Sequence, residues 1–125
     1  MPRLSAKLDT SRRVFPRVSI SPRDELNVRV RVERNWQPGM ALNISPHGAG
    51  LRCAEVKIEV GLEITVEIKT AKIKAYRDAI VRHVGDDRLG VEFTCQDRIS
   101  VGEIQDIIAA VQRQRKIKGR IGSKG

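Results

Sequence analysis

Apolar and polar residues alternate along most of the chain, and the clearest stretch joins Leu26, Val28, Val30 and Val32 with Asn27, Arg29, Arg31 and Glu33 between them. A period of two places one set on a buried face and the other on a charged outer face, the pattern of a half-buried strand. Leu62, Ile64, Val66 and Ile68 alternate still more regularly against Glu63, Thr65, Glu67 and Lys69. Between these, Asn35-Trp36-Gln37-Pro38-Gly39 predicts a turn, and Met40, Leu42 and Ile44 predict an inward-facing return strand with Asn43 and Ser45 on its outer side. Ala49, Leu51 and Cys53 alternate with Gly50, Arg52 and Ala54 to give another strand. Residues 71–84 form a longer β segment whose alternation blurs near Asp78, where a bulge or bend is expected. Gly85-Asp86-Asp87 is a turn, and Leu89, Val91 and Phe93 form the last inward-facing strand.

The period then changes. Ser100-Val101-Gly102-Glu103 has the Ser-x-x-Glu spacing of a capping box, and Val101, Ile104, Ile107, Ile108 and Val111 recur at helical spacing. The predicted fold class is therefore all-β with a C-terminal helix, whose apolar stripe packs against the sheet. Residues 1–11 lack periodicity and are expected to form a flexible arm, residues 12–112 the domain, and residues 113–125 a basic tail that frays.

A chain of 125 residues with 40% hydrophobic and 31% charged residues suits one soluble domain, and no run is long enough to span a membrane. With no leader pattern at its start, the chain is expected to remain in the cytoplasm. Cys53 and Cys95 lack Cys-x-x-Cys spacing and are expected to be buried, reduced thiols on strands. The net charge of +9 is unevenly spread: residues 1–35 hold nine Lys/Arg against four Asp/Glu, residues 36–112 nine against eleven, and residues 113–125 six against none. The middle is slightly acidic, which argues against a domain whose whole surface binds polyanions.

Candidate chemistry gathers in two short stretches. Asn43-Ile44-Ser45-Pro46-His47-Gly48-Ala49-Gly50 carries two polar side chains from a strand end into a turn, with glycines that permit positive φ or close approach of the backbone. Taken alone, it also reads as an ordinary polar turn whose Asn and Ser bond local backbone. Upstream, Pro16 favours extended backbone, so Arg13 and Arg17, four apart, project from one side of an extended segment. Guanidinium groups bond phosphate bidentately, pair with the O6/N7 edge of guanine and stack on flat bases, so an anionic guanine nucleotide answers all three capacities.

Together, R-x-x-x-R at Arg13 to Arg17 and N-x-S-x-x-G at Asn43 to Gly48, followed by Gly90-Val91-Glu92-Phe93, resemble the PilZ domain family from about Arg12 to Val111. The resemblance implies a small six-stranded antiparallel β-barrel with a C-terminal helix, and a cyclic di-GMP ligand. It implies that Arg13 and Arg17 grip guanine and phosphate, that Asn43 and Ser45 bond the ligand, and that Gly48 permits its approach. Arg12 is a further candidate contact, and His47 and Arg52 are weaker ones. A domain without an attached output module is expected to signal through a protein partner.

The competing classes have less support. No nucleophile–base pair is evident, and His47 and His83 share no metal-ligand spacing with the cysteines, so neither catalysis nor a metal or other cofactor is expected. Aromatic residues make up only 3% of the chain, and Phe15, Trp36, Tyr76 and Phe93 are not expected to interleave with basic residues on one face, so a nucleic-acid stacking platform is not expected. The basic ends could still attach weakly to a polyanion. A third alternative is an adaptor that works through protein contacts without nucleotide.

Overall fold

The computed structural model describes residues 17–53 and 58–124, with side chains to residue 116; the expected arm at 1–11, Arg12 and Arg13 lie outside the described residues. The elements in chain order are β1 (Val18–Ser19), β2 (Asn27–Val32), β3 (Asn35–Ser45), β4 (Gly48–Arg52), β5 (Glu63–Lys69), β6 (Lys74–Val84), β7 (Arg88–Phe93) and α1 (Arg98–Lys124). Pairings run β3-β2-β5-β6-β7-β4 and back from β4 to β3, so six antiparallel strands close a barrel, with two-residue β1 added beside β3. Closure removes the open sheet edges that would otherwise template aggregation.

The barrel is filled by the residues whose alternation is strongest: Val28, Val30, Ile64, Val66 and Ile68, joined by Val81, Val91 and Phe93. Ile104, Ile107 and Val111 of α1 belong to the same buried cluster, so the helix stripe completes the core rather than waiting for a partner. Full burial of each such aliphatic side chain is worth about 1.5–3 kcal/mol. Arg77, on β6, is a buried polar member: it donates to the carbonyls of Tyr76 and Ser100 and pairs with Glu103, tying α1 to the barrel.

Several local expectations are corrected. The chain reverses at Glu33-Arg34, with Glu33 at φ 57°, and 35–39 is already strand. Pro38 is tolerated there because its carbonyl faces the Cys53 thiol rather than β2, so its missing N–H falls on the same far edge and breaks no β2 ladder bond. On β3 the register shifts between Ala41 and Asn43, which places Ala41 and Ile44 inward and leaves Met40 42% exposed. A bulge inserts one residue and flips the face, so the expected inward set of Met40, Leu42 and Ile44 is broken.

On β6 the irregularity lies between Val81 and His83, not at Asp78; the blurred alternation near Asp78 reflects the inward-facing Arg77. Helix α1 starts one turn earlier than the Ser100 signal, because Asp97 caps it: Asp97 Oδ1 accepts the Ser100 N–H at 2.8 Å. Glu103 is committed to Arg77 instead of a capping box. Past residue 112 the helix runs on to Lys124. Cys53 is buried as expected, whereas Cys95 is exposed beside the cap, with its thiol 2.8 Å from Asp97 Oδ2; the two are not joined in a disulfide. That thiol and the Ser100 N–H hold the Asp97 carboxyl below its ordinary range.

Candidate functional site: a glycine strip beneath an arginine

Residues directly opposite in an antiparallel sheet share a face, so the ladder register assembles the site. One row crosses five strands: Ser19 on β1, Asn43 on β3, Gly50 on β4, Gly90 on β7 and His83 on β6. The row beside it holds Ser45, Gly48, Glu92 and Ile80. Three glycines therefore fall in these two rows on the outward side of the ladder; Gly48 and Gly50 are buried, with the Asn43 amide over Gly50 and the Val91 carbonyl against Gly48, and Gly90 is half-buried.

Asn43 is the hub of the strip. Its Oδ1 accepts the Gly50 N–H at 2.9 Å and the Arg17 Nη1–H at 3.1 Å, so a single oxygen ties the neighbouring strand to the arginine arm. A Cβ at Gly50 would stand 2.6 Å from Asn43 Nδ2, so only glycine leaves the amide room to lie there. Gly50 was not among the candidate site residues; the signal that could have found it is its place opposite Asn43, visible once the hairpin register is known. Arg17 is exposed, with its guanidinium held at the edge of the strip.

The other motif residues have local roles. Ser45 is 4% exposed; its Oγ accepts the His47 N–H at 3.2 Å and lies 3.4 Å from the Gly48 carbonyl. It closes the Pro46-His47 turn instead of standing outward beside Asn43, which is the common bonding of a serine ahead of a turn. Gly48 is not in the left-handed region; among the described glycines only Gly61, at φ 93°, has positive φ. What requires glycine at position 48 is space, since a Cβ there would lie 2.2 Å from the Val91 carbonyl oxygen.

His47 is fastened toward β7 and the helix start: its ring Nδ1 meets Gln96 Oε1, and its carbonyl accepts the Phe93 N–H at 2.9 Å. Arg52 pairs with Asp87 at 3.1 Å. Arg82, at the β6 bulge, pairs with Glu92 opposite Gly48, which brings a further cation to the strip's far side. A cavity of about 210 Å³ lies elsewhere, lined in part by Glu25, Ile73, Val111 and Gln114.

A second cluster occupies the outer face of β2, β5 and β6. Arg29 forms a bidentate pair with Glu67 at 2.8 Å in both bonds, and the Arg29 and Arg31 guanidinium carbons lie 4.9 and 5.4 Å from the Trp36 ring centre. Tyr76 meets Trp36 edge-on at 6.1 Å. The Arg29 hydrogen bonds hold Glu67 down at about 2, with Tyr76 assisting. The expectation that aromatic and basic residues do not share a face is thus corrected: adjacency comes from cross-strand register, which spacing along the chain does not reveal. Among the described residues no three His, Cys, Asp or Glu side chains gather as a metal site, and no helix is long and apolar enough to cross a membrane.

The PilZ domain family matches the chain over residues 11–110. The chain belongs to the PilZ domain family. No curated protein gives a match in sequence. Among solved structures, the PilZ domain of Escherichia coli YcgR with cyclic di-GMP is similar at TM-score 0.72 and 16% identity, covering 87% of this chain and 98% of that one. An uncharacterized Legionella protein is similar at TM-score 0.61 and 16% identity, covering 82% of this chain and 99% of that one. The Klebsiella MrkH complex with cyclic di-GMP is similar at TM-score 0.67 and 14% identity, covering 83% of this chain and 54% of that one. At these identities the likeness is one of fold, and it agrees with the closed six-stranded barrel and C-terminal helix of this PilZ protein.

Proposed function

We propose that this PilZ protein is a cyclic di-GMP receptor without catalytic activity, working in the cytoplasm and passing the signal to a protein partner. The observation that carries the proposal is the Arg17–Asn43 hydrogen bond, which joins the two halves of the motif across 26 residues of sequence. Membership of the family and the two similar proteins solved with cyclic di-GMP support the ligand. In this reading Arg13 and Arg17 bond guanine and phosphate, Arg12 adds a stacking or phosphate contact, and Asn43 presents Arg17. With no side chain at Gly48, Gly50 or Gly90, a flat base can lie close to the strand backbones once the Asn43 amide over Gly50 turns toward it. Ser45 acts by holding the turn, His47 is a subsidiary contact, and Arg52 stays with Asp87.

A nucleic-acid reading draws on the Trp36, Tyr76, Arg29 and Arg31 face and on the six basic residues of 113–125. Against it, the Arg29 guanidinium is already neutralised by Glu67, and Arg31 donates to Thr65 Oγ1 at 3.3 Å. Calorimetric titration with cyclic di-GMP, GTP and single-stranded DNA separates the two. Saturable binding of cyclic di-GMP alone supports the receptor; salt-sensitive DNA binding without it supports the alternative.

A further inference from the structure

The segment that follows Arg17 is held from two sides. On one side β1 lies along β3, with Ser19 opposite Asn43 and the Ile20 N–H donating to the Leu42 carbonyl at 2.9 Å. On the other, helix α1 reaches it through Arg115, which is 91 residues from Asp24 and whose Nε and Nη2 donate to the two Asp24 carboxylate oxygens at 2.9 and 2.8 Å. Arg115 Nη2 also donates to the Ser19 carbonyl. Asp24 is no loose surface acid: its side chain is 6% exposed, and its Oδ2 accepts the Ser21 N–H at 2.8 Å. The turn around it is closed by the Asp24 N–H to Ser21 carbonyl bond at 3.0 Å and the Leu26 N–H to Asp24 carbonyl bond at 2.9 Å.

Two paired residues make a weak strand, because so short a ladder recovers little of the backbone entropy it costs. Whatever else fixes Ser19 therefore fixes the base of the arm, and Arg17 is only two residues ahead. A bidentate guanidinium–carboxylate pair supplies such a fixture, since its fork tolerates little rotation.

We infer that Arg115 is a positioning residue for the ligand site: by clamping Asp24 and the Ser19 carbonyl, it keeps β1 on β3 and so holds Arg17 at Asn43. The effect on ligand affinity rests on the cyclic di-GMP reading; the effect on the arm does not. Linkage then works in both directions. A ligand that draws Arg17 onto the strip steadies the helix around Arg115, which gives the site a mechanical route to α1.

The test compares the whole chain with Arg115→Gln, Asp24→Asn and Arg115→Lys by amide hydrogen exchange and by calorimetric titration with cyclic di-GMP. In the first two variants the Ile20 amide should exchange about fivefold faster or more, and affinity should fall by a similar factor. The Val81 amide, bonded to the Leu62 carbonyl inside the barrel, should keep its rate. Arg115→Lys, which keeps the charge but not the fork, should recover part of both effects. Ligand should slow exchange of the 112–116 amides in the original chain and lose that effect in Asp24→Asn. Unchanged Ile20 exchange in both variants overturns the inference. So does an equal acceleration of Ile20 and Val81, which would make the clamp a contributor to global stability alone. Should the original chain fail to bind cyclic di-GMP, the receptor reading falls, and Ile20 exchange still decides the clamp.

Discussion

One methyl group added at Gly50 should disable the site while leaving the barrel closed. The new Cβ would stand 2.6 Å from Asn43 Nδ2, closer than real contacts allow, and 3.0 Å from Oδ1, tighter than most. Gly50 itself is fixed between Asn43 and Gly90 in the ladder, so the Asn43 amide, which turns about two torsions, is the group that moves. Its oxygen then leaves the Gly50 N–H and Arg17. The Gly50 bond is worth about 1 kcal/mol, and exposed Arg17 is resolvated at little cost, so Gly50→Ala should lower stability by roughly 1 kcal/mol. Binding loses both Asn43 and a preplaced Arg17, about 1.5–3 kcal/mol, or roughly ten- to a hundredfold in affinity.

Gly48→Ala should do the opposite. Its Cβ would fall 2.2 Å from the Val91 carbonyl oxygen, a backbone atom that moves only if β4 parts from β7, so about 2–3 kcal/mol of stability should go. Urea unfolding and calorimetric titration of both variants separate the two lesions. In a double-mutant cycle, Gly50→Ala should cost nothing further once Asn43→Ala is in place. Wild-type affinity in Gly50→Ala, or additive losses in the cycle, would refute the role given to Asn43.

Ser45→Ala should lower stability by about 1 kcal/mol in urea unfolding, through the lost His47 turn bond, with a smaller change in affinity than Asn43→Ala gives. Arg77→Ala should cost about 3 kcal/mol because it strips the buried anchor of α1, whereas Glu103→Gln, changing the exposed partner, should cost under about 1 kcal/mol; thermal unfolding followed by circular dichroism compares them. Glu67 titrates at about 2 in the folded chain against an ordinary 4.5, so its pair with Arg29 stabilises fully above the ordinary value. That contribution is lost as pH falls from about 4.5 toward 2, and the acid-induced fall in stability over this window should be shallower in Glu67→Gln.

The strands were legible wherever a Val/Ile repeat met charged alternates, as in Val28 to Val32 and Ile64 to Ile68, because period two directly encodes a half-buried sheet. The bulges near Leu42 and Arg82 were not, since a bulge is a mismatch between two strands and neither alone records it. For the same reason Asn43 was readable as a site residue while Gly50, its ladder partner, was not. The true helix cap was hidden by two overlapping signals three residues apart, Asp97 and Ser100, and the bond Asp97 makes to the Ser100 N–H shows which prevailed. Trp36 beside Arg29 and Arg31, and Arg115 beside Asp24, are contacts of the folded chain between residues that no local pattern connects.

Whether Arg17 and Asn43 belong to one nucleotide site is tested most directly by calorimetric titration of cyclic di-GMP, GTP and single-stranded DNA into the original chain and Arg17→Ala. Arg17 is exposed and, among the described residues, bonds Asn43 at the edge of the strip, so the variant should unfold at the temperature of the original chain. The expected result is saturable binding of cyclic di-GMP alone, weakened by about 1.5–3 kcal/mol in Arg17→Ala as charge-assisted bonds are lost. Equal cyclic di-GMP affinity in the two chains would contradict it, and so would DNA binding by a chain that ignores cyclic di-GMP.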